Sequence, residues 1–225
     1  KEDDKKNVVL FPNIPWDQGL TEFASAFTGV IDWVEKTIEY FADHPDINIW
    51  IKPHPAEVRG TAKSGKSVSE FIKMKYPVLP DNVFVIDAEL GVNPYHLFPY
   101  IDVGVVLSGT LGLEMALQNI DVVSAGTNPC YGLGLLSEPA NDVEYFKAIE
   151  GGDNSVNKMD ELITFSYFYF IHQCFNWPLT ERAWGDNSLR LSFSKVSDLE
   201  EGKMPELDII FDEIDALVCD FRSNQ

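Results

Sequence analysis

Val105-Val106-Leu107-Ser108-Gly109-Thr110-Leu111-Gly112-Leu113-Glu114 reads as a buried strand that stops abruptly at a polar turn and opens a helix. A β-branched run without polar alternation is the pattern of a strand covered by helices on both faces. Upstream, Ile49-Trp50-Ile51-Lys52-Pro53-His54-Pro55-Ala56-Glu57 has the same form, an apolar run ending in groups able to hold an anion. Working outward, short runs at Asn7–Phe11, Ile47–Lys52, Val83–Asp87, Val103–Leu107 and Val122–Ala125 predict strands. Helical patterns at Phe27–Ala42, Val68–Tyr76, Pro94–Tyr100, Leu111–Gln118 and Val143–Glu150 lie between and after them. In the first of these, Val30, Ile31, Val34, Ile38 and Phe41 recur at helical spacing, with Asp32, Glu35, Lys36 and Glu39 on the other face. The alternation predicts an α/β fold, a Rossmann-like parallel sheet flanked by helices. In such a sheet the strand ends meet in one crevice outside the carboxyl edge.

Gly151-Gly152-Asp153-Asn154-Ser155 ends the alternation. We therefore expect a Rossmann-like domain over residues 1–156 and a helical extension over 157–225 packing on it. Asn157 and Asp160 resemble a capping pair, and the helix they open is expected to reach Asn176, where Trp177-Pro178 stops it. A loop rich in Ser, Gly and Asp follows. A last amphipathic helix is expected from about Pro205, with Leu207, Ile210, Phe211, Ile214, Leu217, Val218 and Phe221 on one face and a solvated acidic face opposite.

Composition narrows the function classes. The chain has 225 residues, 45% of them hydrophobic, enough for an ample core. Its formal net charge of -19 repels nucleic acid and anionic lipid, so a general nucleic-acid-binding role is disfavoured. Cys130, Cys174 and Cys219 are few, distant and without metal-ligand spacing, which fits a reducing compartment: the cytoplasm, including the inner face of a membrane. The most apolar stretch, Leu162–Phe175, is too short and too interrupted to span a membrane. Position 1 is Lys, which reads as the start of a segment cut from a longer chain.

Two cradles carry the chemistry. His54 follows a strand and stands between Pro53 and Pro55, whose rings stiffen the loop that aims the imidazole. It can donate to a phosphate or give up a proton, or it can simply cap a backbone carbonyl. Lys52 and Arg59 are two of only 17 basic residues and lie close to it, hinting at an anion site, while Glu57 either orients His54 or pairs with Arg59. Ser108, Gly109 and Thr110 stand where a strand gives way to a helix. There, hydroxyls and amides can bind an anion or serve as an ordinary cap. Glu114, one turn on, can accept from ribose hydroxyls or stand as a surface carboxylate. Trp16 and Asp17 belong to a shaped, proline-rich loop after the first strand, Asp17 as a general base or a loop cap. Tyr131 and Gly132 follow the fifth strand, where they can close over a ligand or mark a turn. His44, His96, His172 and the tryptophans Trp33, Trp50, Trp177 and Trp184 read as structural. No Asp-x-Asp metal motif is present, and neither a metal nor a cofactor is expected.

In their order and wording, Leu10-Phe11-Pro12-Asn13-Ile14-Pro15-Trp16-Asp17, Lys52-Pro53-His54-Pro55-Ala56-Glu57, Ser108-Gly109-Thr110-Leu111-Gly112-Leu113-Glu114-Met115-Ala116-Leu117, and Ala125-Gly126 followed by Tyr131-Gly132-Leu133-Gly134 resemble the capsule polysaccharide biosynthesis family. The resemblance covers about residues 7–150. That family is similar to GT-B glycosyltransferases, in which two Rossmann-like domains face each other across a cleft. The His-Pro and Ser-x-Thr pieces also resemble motifs of bacterial Kdo transferases and sialyltransferases. The resemblance implies that His54, Ser108 and Thr110 hold the phosphate of a nucleotide-sugar donor such as CMP-Kdo, that Glu114 lies near the ribose, and that the acceptor is a glycan. It matches the donor-binding C-terminal half of a GT-B enzyme, so an N-terminal half is expected elsewhere. The competing readings are a sugar-nucleotide epimerase of GT-B-like fold and a non-catalytic interaction module of a larger glycan-synthesis protein.

Overall fold

The computed structural model describes residues 5–15, 26–58, 67–151, 158–172, 180–182, 189–191, 196–200, 202–204 and 208. The chain divides into two compact units, Lys1–Phe165 and Ser166–Gln225.

The first unit is built on a five-stranded sheet of β1 (Lys6–Phe11), β2 (Ile47–Ile51), β3 (Val83–Val85), β4 (Val103–Val106) and β5 (Asp121–Ser124), in the order β3-β2-β1-β4-β5. Every pairing is parallel. β1 is central: Val8 sits opposite Ile49 on one side and Val103 on the other. The chain moves outward through α1 (Val30–Phe41) and α2 (Val68–Lys75), then crosses back over β1 to reach β4, and continues through α3 (Leu111–Ala116) to β5. That reversal makes the β1/β4 boundary the topological switch point of the sheet. All five strands and four of the expected helices are found, with ends shifted by a few residues.

The side-chain period of two separates the faces of β4. Val103 and Val105 join the core cluster of Trp33, Val34, Ile38 and Phe41 from α1 with Tyr145 and Ile149 from α4 (Asp142–Glu150). Gly104 and Val106 face α3 instead: a Cβ at Gly104 would come within 2.6 Å of Met115, and one at Gly112 would meet Val106 at 3.1 Å. α3 therefore lies against the sheet more closely than larger residues would permit. Under α1 the polar groups of the core are closed upon themselves. Thr37 Oγ1 donates to Trp33 O at 2.7 Å, so the Tyr145 hydroxyl donates to Thr37 (3.0 Å) and accepts from Trp33 Nε1 (2.8 Å). Asn82 Nδ2 donates to the carbonyls of Phe41, His44 and Ile47, pinning the α1–β2 turn to the start of β3.

Three elements differ from expectation. Pro94–Tyr100 forms two separate 3-10 turns, Pro94–His96 and Phe98–Tyr100, because Pro99 supplies no N–H to a continuous helix. The helix expected to reach Asn176 is α5 (Met159–Tyr167), which continues as a π-helical segment over Phe168–His172. In the stretch read as a loop, β6 (Thr180–Arg182) pairs antiparallel with β7 (Leu189–Leu191), each too short to show a periodic pattern. The capping residue Asn157, the Trp177-Pro178 stop and the expected C-terminal helix lie outside the described residues, apart from Asp208.

Tyr145→Phe orphans the buried Trp33 N–H without opening space. It is expected to lower unfolding stability by about 1 to 3 kcal/mol, read as a lower urea midpoint at unchanged m-value.

Candidate functional site

The carboxyl ends of β2, β1 and β4 lie side by side, so the chain emerging from β2 and from β4 is separated by about 10 Å, two interstrand spacings. Between them runs the segment after β1. Asn13, in that segment, donates from Nδ2 to Ser108 Oγ at 3.4 Å and so bridges the switch point. Its Oδ1 is buried and has no partner among the described residues. An unsatisfied buried acceptor costs about 1 to 3 kcal/mol, so this atom is suited to receive a donor from a ligand.

On the β2 side, Lys52 continues the ladder, its N–H donating to Leu10 O at 2.9 Å, and only 7% of the residue is exposed. Its ammonium has no carboxylate partner among the described residues, and burial lowers its pKa from the ordinary lysine value. His54 follows in extended geometry (φ -69°, ψ 134°) and caps the 3-10 turn Pro55–Glu57. The Ala56 N–H donates to His54 Nδ1 at 3.1 Å. That bond leaves the proton of the neutral ring on Nε2, which becomes an outward donor. Burial and then the Lys52 charge hold the His54 pKa below the ordinary imidazole value, against an upward pull from Glu57. The ring is therefore a neutral hydrogen-bond donor near pH 7 rather than a cation.

Glu57 bonds to another element rather than to His54. Its carboxylate accepts from Val68 N (2.8 Å) and from the Ser69 N and Oγ (3.3 and 3.0 Å), capping α2. Spacing along the chain cannot reveal a cap whose partners stand eleven residues ahead in another element. Trp16, Asp17 and Arg59 lie outside the described residues.

On the β4 side, Gly109 turns the chain at φ 92°, a conformation that favours glycine. A Cβ there would meet nothing within 4 Å, so the glycine answers to backbone geometry, and the space beside it is open. Thr110 makes no side-chain cap to α3. Its hydroxyl proton goes to Glu114 Oε1 at 2.7 Å, whereas Ser108 accepts from Asn13 and donates to no described residue. Of the two hydroxyls expected to donate to an anion, Ser108 is the one without an acceptor among the described residues. Glu114 also accepts at Oε2 from the Tyr95 hydroxyl. Beyond β5, Tyr131 is exposed, and the Gly132 N–H is committed to Glu138 Oε2 at 2.9 Å, which also takes Asn128 Nδ2 at its other oxygen.

Asn13 and Tyr95 are the residues that sequence reading did not place in the site. Asn13 had a signal, a polar residue directly after the central strand; Tyr95 had none, since its partner stands nineteen residues away. Among the remaining histidines and tryptophans, His44 Nδ1 bonds Tyr40 O at 2.8 Å, and Trp50 stacks on Phe84 at 4.4 Å, both structural roles. Among the described residues no cluster of three or more His, Cys, Asp or Glu could hold a metal ion, and no helix is long and apolar enough to cross a membrane.

Strand order and crevice define a Rossmann-like α/β protein. A family model described as capsule polysaccharide biosynthesis protein matches residues 1–149, and the chain belongs to that family. No curated protein matches the chain. Similar solved structures include the KpsC β-Kdo 2,7-transferase of Thermosulfurimonas dismutans, with 17% identity, a TM-score of 0.46, 92% of this chain covered and 54% of that one. The β-Kdo 2,4-transferase of KpsC from the same organism has 19% identity and a TM-score of 0.43, covering 71% of this chain and 52% of that one. The glycotransferase of kitacinnamycin has 17% identity and a TM-score of 0.43, covering 73% and 38%. The chain thus spans about half the length, or less, of these solved structures.

The electrostatics of the β2 side are directly testable. In a proton-detected NMR titration His54 is expected to titrate below 6.5 as the Nε2–H tautomer, and Lys52→Met to raise its pKa toward that ordinary value. Because the fold disfavours the protonated ring, the stability tied to His54 is complete above pH 6.5 and falls as acid protonates the unfolded chain first. His54→Gln is expected to flatten that part of the pH–stability curve, measured by denaturation between pH 7 and pH 5.

Proposed function

We propose that this chain is the donor-binding portion of a GT-B glycosyltransferase that moves a sugar from a nucleotide donor, such as CMP-Kdo, to a surface-polysaccharide or glycan hydroxyl. The observation that carries the reading is Lys52, a largely buried residue whose ammonium has no carboxylate partner among the described residues, at the carboxyl edge of a switch-point crevice in a chain of net charge -19. A partly desolvated cation with no carboxylate beside it is stabilised by a ligand of opposite sign, and a phosphate fits. His54 Nε2–H, the Ser108 hydroxyl and the open backbone beside Gly109 supply further donors of the kind that stabilise charge developing on a leaving phosphate.

In the transfer step the bond between the anomeric carbon and the phosphate oxygen breaks, and the acceptor oxygen bonds to that carbon. The electron pair of the broken bond goes to the phosphate, and the acceptor proton goes to a base, the role assigned here to Asp17. Glu114 takes the ribose hydroxyls. Residues 157–225 form the C-terminal extension of this half, and an N-terminal GT-B half completes the cleft with its acceptor site.

A thermal-shift series with CMP, UDP, GDP and their sugars tests the reading. A bound nucleotide at about one hundred times its Kd should add about 2.7 kcal/mol of stability. Ser108→Ala and Lys52→Met are each expected to weaken that nucleotide about tenfold, the loss of one charge-assisted contact. No stabilisation by any of these ligands counts against the donor site. Turnover of the sugar donor without a glycan acceptor in the full enzyme points instead to an epimerase.

A further inference from the structure

Tyr95 comes from none of the strand ends that build the crevice, yet it is tied to a carboxylate at its rim, Glu114. It stands in the 3-10 turn Pro94–His96, where Asn93 Oδ1 accepts from the Tyr95 N–H at 3.1 Å, and its ring packs edge-on to Phe98 at 5.3 Å. The side chain remains 53% exposed, so burial does not account for its position. Its hydroxyl donates to Glu114 Oε2 while Thr110 Oγ1 donates to Glu114 Oε1. Two donors from separate elements thus fix both oxygens of one carboxylate. Each oxygen keeps a lone pair, and the acceptors left over are held side by side. Such a pair matches two adjacent O–H donors on a ligand, one to each oxygen. Hydrogen bonding to Glu114 also raises the Tyr95 pKa, so the phenol stays a donor through the neutral range.

Building on the donor-site reading, we propose that Tyr95 is a positioning residue. With Thr110 it sets Glu114 to accept both hydroxyls of a ribose diol, so that the site prefers ribonucleotides to their 2′-deoxy counterparts. A site built to bond a hydroxyl rejects the analogue lacking it, because the acceptor is then left unpaired. A Tyr95 that merely tied its turn to α3 would affect both ligands alike.

Calorimetric titration of the chain with CMP, UDP and GDP, each against its 2′-deoxy form, separates the two roles. Wild type is expected to favour the ribo form at least tenfold, and Tyr95→Phe, which removes only the hydroxyl of an exposed ring, to reduce that ratio about tenfold. Affinity for the deoxy form should change by less than about twofold, and Glu114→Ala should abolish the preference. Ribonucleotide binding with an unchanged ratio in Tyr95→Phe, or an equal loss for both ligands, overturns the role of Tyr95 and leaves the donor site standing. Failure of wild type to bind any of these nucleotides overturns both.

Discussion

The parallel pairing of β1 with β2 on one side and β4 on the other is the constraint on which the rest of the molecule depends. Parallel strands send their carboxyl ends to one edge, and the reversal of chain direction at β1 parts the connections leaving that edge. Lys52 and His54 are delivered on one flank, Ser108 and Gly109 on the other, with Asn13 between them. The Asn13–Ser108 bond ties the segment after β1 to the β4 flank.

Around this edge the chain manages its own acidity. With 36 acidic and 17 basic residues, an undirected distribution would place carboxylates beside any buried cation. Instead Glu57 is turned away to cap α2, and Glu138 is occupied by Asn128 and the Gly132 amide. The Lys52 charge is left without a carboxylate neighbour among the described residues, and it helps keep His54 neutral. The donors that remain, Lys52, His54 Nε2–H and the Ser108 hydroxyl, face the same edge. Glu114 stands apart at the rim, held by Thr110 and Tyr95. Among the described residues, the outcome is a lysine charge and two neutral donors at one edge, with the Glu114 carboxylate held beside them, inside a strongly acidic protein.

The layers behind the edge explain why it is stiff. Gly104 and Gly112 let α3 approach β4 and β5 closely, which sets the height of the Ser108–Thr110 turn above the sheet. On the opposite face the Thr37–Tyr145–Trp33 network satisfies every polar group it buries, so α1 and α4 cover the sheet without leaving an unpaired donor. Asn82 performs a similar service for the turn feeding β2. A shift in any of these would move a strand end, and with it the groups of the crevice.

Much of this was legible in one dimension. Short β-branched runs without polar alternation determined a parallel sheet, since strands covered on both faces by helices carry no polar stripe. Polar residues directly after those runs determined where a ligand edge would lie. What a linear reading could not decide is which polar groups stay free there, because each proton or lone pair is claimed by a partner remote in sequence. Thr110 and Ser108 look equivalent as residues, yet one proton goes to Glu114 and the other is claimed by no described residue. Glu57 looks like a partner for His54 until α2 takes both its oxygens, and Tyr95 acquires a role only because the crossover from β3 to β4 brings it to Glu114. Local sequence sets periodicity and strand ends, while hydrogen-bond allocation follows from distances that exist only once the chain has folded.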